Sequence, residues 1–289
     1  MCAVWTRRSG IQLAYPMDIK KLLKMPLPWI VQPKLNGERC RLIVRHGLVT
    51  MLSSEENEIT TLPHIIQSVQ TLNLPDIELD GEIYLHGMSK QEIGSYLRRN
   101  EPKPDYERIQ YHVFDLVCNR PQIHRLDLLW FDLWPILQNA KSVKKVEVHK
   151  VKSVTRLVEL LTHYVEQKYE GIVVRNPRPE YVRKRTVDML KWKPKHKDSY
   201  KIVGFEEEVD QYGTPKRMLG AIWCEKDGQR FKVSAGGFTY QDRFEIWGVR
   251  EEYLNKYLLV RYPELTDRGI PNHAVALEIT DNEVLDEEA

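Results

Sequence analysis

Lys34 leads the residues of this chain that could do covalent chemistry. The extended run Ile30-Val31-Gln32 precedes it and Leu35-Asn36-Gly37-Glu38-Arg39 follows. An amine at a strand end can attack an electrophile. With an ordinary pKa of about 10.4, only roughly one such amine in a few thousand is neutral at pH 7. Cationic neighbours or desolvation must lower that value before attack competes. A lone lysine is ordinarily surface, and the company of Lys34 is what gives it weight. In Glu78-Leu79-Asp80-Gly81-Glu82-Ile83 the strand period puts Glu78, Asp80 and Glu82 opposite the apolar residues. Carboxylates so placed suit Mg2+, its waters or a ribose hydroxyl. In Val113-Phe114-Asp115-Leu116, Phe114 faces away from Val113 and could stack on a base. Glu170 opens the apolar run Gly171-Ile172-Val173-Val174-Arg175. Met189, Lys191 and Lys193 share one strand face, with Leu190 and Trp192 on the other, and paired ammoniums can hold phosphates. Each has a plainer reading: Phe114 as core, Glu170 as a helix-end surface residue, the lysines as solvent-facing.

The elements that must carry these groups follow from periodicity. Alternation over 39–45 and an extended run over 48–52, joined at His46-Gly47, predict a hairpin. Ile65, Ile66, Val69 and Leu72 recur at helical spacing after Pro63, and Pro75 closes that helix. A strand is expected at 77–85. Ser89 with Glu92 three residues on marks a capping box for a helix reaching about Arg99. Residues 109–117 read as extended, and 126–137 as helix until Pro135 disturbs it. Ser153 caps an amphipathic helix with Leu157, Leu160, Leu161, Tyr164 and Val165 on one side. Strands follow at 171–175 and 187–192. Beyond Pro194 the style changes to short strands at 200–205, 221–225, 231–233, 258–262 and 274–279, with one helical stretch at 241–256. That pattern predicts a small β-barrel of the OB type.

Length and composition agree with two folded domains. The 289 residues carry 43 Lys+Arg against 41 Asp+Glu, a net charge of +2, which excludes a polycationic tail protein. With 42% hydrophobic and 29% charged residues, global disorder is excluded too. No apolar run is long enough to span a membrane. Residues 1–10 have no apolar core, so no signal peptide is expected and a cytoplasmic setting follows. Cys2, Cys40, Cys118 and Cys224 are too scattered for a metal knuckle or a disulfide framework. Charge is uneven, however. Residues 175–201 hold ten Lys/Arg and three Asp/Glu, while five carboxylates crowd 281–288. A basic seam at a domain junction suits a polyanion, with a solvated lysine surface as the plain alternative.

Taken in order, "KLNGER", "ELDGEI", "VFDL", "EGIVVR" and "LKWK" resemble motifs I, III, IIIa, IV and V of the covalent nucleotidyltransferase superfamily. The likeness is greatest to ATP-dependent DNA ligases of the small viral and bacterial kind, and it continues through "GTPKRMLGAIW", "RFKVSAGGFT" and "VRYPELTDRGIP". The resemblance implies an α+β nucleotidyltransferase (adenylation) domain over 1–195, with antiparallel sheets and flanking helices, then an OB-fold domain over 196–289. It implies that Lys34 takes AMP from ATP, with Mg2+ as the metal. Arg39 would contact the nucleotide and the nick phosphate, Glu82 the ribose and Phe114 the adenine face. Glu170 would serve the metal, and Lys191 and Lys193 the α-phosphate. Arg183, Lys184, Arg185, Lys195 and Lys197 would meet nicked duplex DNA, the expected partner of a monomeric enzyme. An RNA ligase, a capping guanylyltransferase and an inactive nick-binding protein remain alternatives.

Three positions depart from the family pattern. Ser53-Ser54 stands where Ser-Arg is usual, and "ALEITDNE" lacks the basic residue of motif VI. Asn36 stands where the family has Asp. The amide keeps an acceptor but loses a charge beside Lys34, so activity should survive with altered metal dependence. The Asn36→Asp variant is therefore expected to form lysyl-AMP with a changed Mg2+ response. Equal rates at every Mg2+ concentration would contradict this.

Overall fold

The computed structural model describes residues 10–262, 264–266 and 268–284. The stretch 1–9, read above for a leader, and the tail carboxylates Asp286, Glu287 and Glu288 lie outside the described residues. The chain divides into two compact units, one ending at Lys193 and the other beginning at Pro194.

Among the described residues the first unit holds ten strands. They are β1 (Leu13–Pro16), β2 (Trp29–Lys34), β3 (Glu38–Arg45), β4 (Leu48–Ser53), β5 (Ile77–Tyr84), β6 (Gln110–Leu116), β7 (Val143–Lys145), β8 (His149–Val151), β9 (Gly171–Arg175) and β10 (Arg185–Trp192). They build two five-stranded sheets, ordered β1-β10-β9-β2-β8 and β4-β3-β5-β6-β7. Pairing is antiparallel except at one edge of each sheet, where β1 runs parallel to β10 and β7 parallel to β6. The hairpin turn falls at His46-Gly47, whose φ values of 49° and 77° are both positive, as the tightest hairpin turns require.

Helices cover the outer faces. They are α1 (Ile19–Leu22), α2 (Pro63–Gln70), α3 (Lys90–Leu97), α4 (Gln122–Asp127), α5 (Trp134–Leu137) and α6 (Val154–Glu166). Leu157, Leu160 and Tyr164 of α6 pack on Trp29, Val31, Ile172, Val174 and Leu190, one apolar face of the first sheet. Leu42, Leu79, Ile83 and Val113 of the second sheet pack with Ile65 and Val69 of α2 and Ile93 of α3. Alternation along each strand then turns Gln32, Lys34, Val173, Arg175, Met189 and Lys191 toward the opposite face. Residues 126–137 differ from expectation. The helical run starts at Gln122 and passes through Pro135, because the widened turn Leu128–Leu133 comes just before it and the proline sits in the first turn of α5, where its missing N–H costs nothing. Strands β1, β7 and β8, three or four residues each, were too short to declare a period.

A buried polar network joins the two sheets. Asp115 of β6 accepts from Arg125 through Nε and Nη2, each at 3.0 Å, from Arg175 Nη1 at 3.1 Å and from Gln122 Nε2 at 3.1 Å. Arg175 Nε donates to Gln32 Oε1 at 2.9 Å, and Gln32 Nε2 to the Phe114 carbonyl at 2.9 Å. Strands β2, β6 and β9 are thus tied by buried charges whose removal from water is offset only by complete pairing.

The second unit is a closed barrel of β11 (His196–Val209), β12 (Pro215–Lys226), β13 (Gln229–Ser234), β14 (Tyr257–Tyr262) and a last strand, Val275–Thr280, ordered β11-β12-β13-last-β14. A short ribbon, β15 (Glu264–Leu265) with β16 (Pro271–Asn272), precedes the last strand, β17. Its strands run longer than the apolar pattern suggested. Register shifts around Gly204 and between Glu206 and Val209 let β11 keep pairing after its clean alternation ends. The helix α7 (Tyr240–Gly248), capped by Thr239 and Asp242, stops at Gly248 rather than continuing to residue 256, and a tight turn over Arg250–Tyr253 follows.

Replacing Arg125 by Met should cost about 3 kcal/mol or more of stability, since it leaves a buried carboxylate part-paired. Urea unfolding of the two proteins measures the difference.

Candidate active site

A cavity of about 200 Å³ lies between the two sheets of the first unit, with Lys34, Arg175 and Lys191 on one wall and Arg39, Glu82 and Phe114 on the other. Lys34 is the last residue of β2 and pairs with Gly171 of β9, and the Glu170 N–H donates to the Lys34 carbonyl at 3.0 Å. That register brings the Glu170 carboxylate to the lysine. Lys34 Nζ donates to Glu170 Oε2, and Lys193 Nζ donates to Oε1 of the same carboxylate. Gly171 adopts φ +140°, and a side chain there would collide with the Trp192 carbonyl, its Cβ falling 2.1 Å away. Gly37 is needed for a similar reason. Its Cβ would lie 2.2 Å from the Ile83 carbonyl, so it is β5 that approaches this glycine closely.

The three carboxylates of β5 separate in role. Glu78 accepts from Arg41 and, at 2.7 and 2.8 Å, from Arg183. Burial pushes its carboxyl up, but Arg183 and Arg41 outweigh burial and hold it below the usual range. Asp80 accepts from Arg39 Nε at 2.6 Å and Nη2 at 2.5 Å, and from the Tyr181 hydroxyl at 2.6 Å. Glu82 lines the cavity. Burial raises its carboxyl above the usual range, with the Lys34, Arg39 and Lys90 cations opposing that push. His112 lies opposite Glu82 on β6, and burial with nearby Lys144 and His86 pulls its pKa down to about 4, so it is neutral at pH 7.

Phe114 owes its orientation to a bulge. Asp80 pairs with Asp115 and Gly81 with Val113, which leaves Phe114 as the extra residue of β6. The ring is 8% exposed and belongs to the core as well as to the cavity wall. Arg39 Cζ stands 4.5 Å and Arg175 Cζ 5.3 Å from its centroid.

The structure therefore brings Lys34, Arg39, Glu82, Phe114 and Lys191 to one cavity, and Glu170 and Lys193 to Lys34. The expected DNA contacts are not one group. Arg183 is engaged by Glu78 and also donates to the Gly10 carbonyl at 2.6 Å. Arg185 donates to the Ala14 carbonyl and lines the cavity. Lys184 is exposed in the first unit, while exposed Lys195 and Lys197 belong to the second. Sequence reasoning missed Gln12, Gln32, Asp115, Arg175 and Tyr181 as site-building residues. Gln32 shares the strand face of Lys34, so the two-residue period could have found it. Asp115 and Arg175 are charges closing apolar strands, a signal of buried pairing. Gln12, whose buried Oε1 has no hydrogen-bond partner among the described residues, and Tyr181 gave no local sign.

Comparison with known proteins places this architecture. A family model described as the ATP dependent DNA ligase domain matches residues 12–193. The chain belongs to this family. A DNA ligase OB-like domain model matches residues 212–279, so a nucleotidyltransferase domain is followed by an OB-like domain. A DNA ligase of African swine fever virus (strain Badajoz 1971 Vero-adapted) is 28% identical over 270 residues, covering 86% of this chain and 62% of the viral one. The chain thus spans under two thirds of the viral relatives it matches. The Haemophilus influenzae DNA ligase is 23% identical over 252 residues, covering 85% of this chain and 84% of its own. A solved Lig E DNA ligase superposes with a TM-score of 0.74 at 20% identity, covering 93% and 98% of the two chains, and the Chlorella virus DNA ligase-adenylate with 0.53 at 21%, covering 93% and 98%. Among the described residues no helix is long and apolar enough to cross a membrane.

Since burial raises the Glu82 carboxyl, folding favours its neutral form and the ligand-free protein is penalised once pH exceeds that raised value. Glu82→Gln should therefore raise the ligand-free melting temperature at pH 7. The gain should vanish below the ordinary carboxylate range near about pH 4, where both side chains are neutral. Thermal melts at the two pH values check both halves.

Proposed function

We propose that the chain is an ATP-dependent DNA ligase that seals 5′-phosphate/3′-hydroxyl nicks through lysyl-AMP and DNA-adenylate intermediates. It would act as a monomer in the cytoplasm of a bacterial or phage-infected cell, with an adenylation domain over 1–195 and an OB-fold domain over 196–289. The observation that carries this reading is Lys34 at the end of β2, inside a cavity that also holds Lys191, Glu82 and Phe114 and beside the carboxylate of Glu170. In the ligand-free state the Lys34 amine is engaged by the Glu170 carboxylate, and only its neutral form is nucleophilic.

Once its ammonium has given a proton to water, Nζ attacks the α-phosphorus of ATP. The P–N bond forms as the bond to the bridging oxygen breaks, pyrophosphate leaves with the electron pair, and nitrogen loses a second proton. A 5′-phosphate oxygen of the nick then attacks the same phosphorus. The P–N bond breaks, nitrogen regains a proton, and a pyrophosphate link joins AMP to DNA. Finally the 3′-hydroxyl attacks the 5′-phosphorus, AMP departs and the hydroxyl proton is released. In this scheme Glu82 accepts from the ribose, Phe114 presents its face to adenine, Arg39 contacts nucleotide and nick, and Lys191 and Lys193 offset charge on the transferring phosphoryl group.

The donor set suits Mg2+ arriving with nucleotide rather than a ready-made cage. Among the described residues no group of three or more acidic, histidine or cysteine ligands converges. Mg2+ characteristically takes one or two protein carboxylates together with substrate phosphates, and Glu170 is the carboxylate in reach of Lys34. When bound, the metal would neutralise pyrophosphate charge. Arg183 is engaged by Glu78, and Lys184, Arg185, Lys195 and Lys197 are further candidates for duplex phosphates.

Purified chain given labelled ATP and Mg2+ should acquire label on Lys34, and adding nicked duplex should release it as the strand is sealed. Lys34→Ala should abolish both. Label on another side chain, or sealing by the variant, would refute the reading, and preference for an all-RNA nick would move it to the RNA ligases. Phosphate contacts predict that binding of nicked duplex weakens as salt rises, and a flat response would contradict them.

A further inference from the structure

We infer that Lys90 is a phosphate-contacting residue that receives the 5′-phosphate of the incoming strand at the cavity mouth. The inference rests on the ligase reading above and assigns a role to a cation that the motif resemblance does not include.

Lys90 opens α3, and the reciprocal Ser89–Glu92 bonds of the capping box, at 3.2 and 2.8 Å, fix where its backbone stands. Its side chain lines the cavity yet is 54% exposed, so it faces both the interior and the solvent from which a strand must come. Glu38 stands 3.9 Å away, beyond hydrogen-bond distance, whereas Arg98 at the other end of α3 reaches the same carboxylate at 3.2 Å. A pair that long and that exposed is weak, and Arg98 would still neutralise Glu38 if Lys90 turned to another anion. Lys90 is also near enough to Glu82 to favour its charged form, alongside Lys34 and Arg39, so its ammonium acts within the same field as the nucleophile.

The chemistry of transfer creates the need. A terminal 5′-phosphate brings nearly two negative charges into a space already bordered by Glu38 and Glu82. The deeper cations have partners of their own: Lys34 and Lys193 on Glu170, Arg39 on Asp80, Arg175 on Asp115. Ser54, on the same cavity lining, contributes no charge. Lys90 comes from a different element and stands at the rim, where the phosphate would enter before its oxygen meets the α-phosphorus on Lys34.

The test compares nicked duplexes that differ only in carrying a 5′-phosphate or a 5′-hydroxyl, bound by the full chain and followed by fluorescence anisotropy. The wild-type chain should prefer the phosphate. Lys90→Ala should reduce that preference by about tenfold, the size of one lost charged hydrogen bond, and Lys90→Arg should keep most of it. A thermal melt of each variant separates contact loss from misfolding. Overturning results are a wild-type chain indifferent to the phosphate, an alanine variant with wild-type preference, or an alanine variant whose only change is a higher ATP requirement for lysyl-AMP formation. That last pattern would assign Lys90 to the nucleotide. A wild-type chain that forms no lysyl-AMP at all would sink the ligase reading itself, a distinct failure.

Discussion

Asp115 is a fully buried carboxylate, and the first unit is organised around keeping it satisfied. Two arginines and a glutamine from two segments, α4 and β9, converge on it, and one of those arginines continues through Gln32 to the Phe114 carbonyl. An uncompensated charge at that depth would cost several kcal/mol, so the sheets can take only the spacing at which every bond is made. That spacing is the width of the cavity. Phe114, placed on the wall by the bulge beside Asp115, and Lys34, two residues beyond Gln32, take their positions from the same network.

Above this neutralised floor the cavity is left electrostatically unfinished. Glu78 and Asp80 are matched by guanidiniums, whereas burial raises the Glu82 carboxyl despite the opposing cations Lys34, Arg39 and Lys90, which have other partners. Glu170 is shared between two ammoniums that the proposed reaction would need elsewhere. Such an arrangement is costly without ligand and is relieved by a polyphosphate and a ribose, a common exchange of stability for function.

Much of this was legible in the chain. The order of the five motifs, the hairpin turn at His46-Gly47 and the Ser89 and Ser153 caps are local features, and the structure bears them out. The period of β10 separated Met189 and Lys191 from Leu190 and Trp192, as the cavity and core confirm. What escaped depends on partners distant in sequence. Nothing near Arg183 reveals that Glu78 will hold it, and nothing near Asp80 reveals that Arg39 and Tyr181 will engage it. The bulge at Phe114 likewise arises from pairing with β5 and has no signature of its own. Carboxylates on one strand face looked equivalent because period alone carries no information about what lies across.

The pairing of β1 with β10 has a consequence for how the molecule is made. Leu13 lies beside Arg185, so the earliest described strand finds its neighbour only after most of the first unit has been synthesised. Until then a ribosome-bound chain exposes an unzipped edge along the sheet that bears Lys34, and contacts of such long sequence separation slow the search for the native state. Nascent chains halted before residue 185 should therefore lack a finished pocket, whereas the Leu42–Leu79 side, built from neighbouring hairpins, can consolidate early.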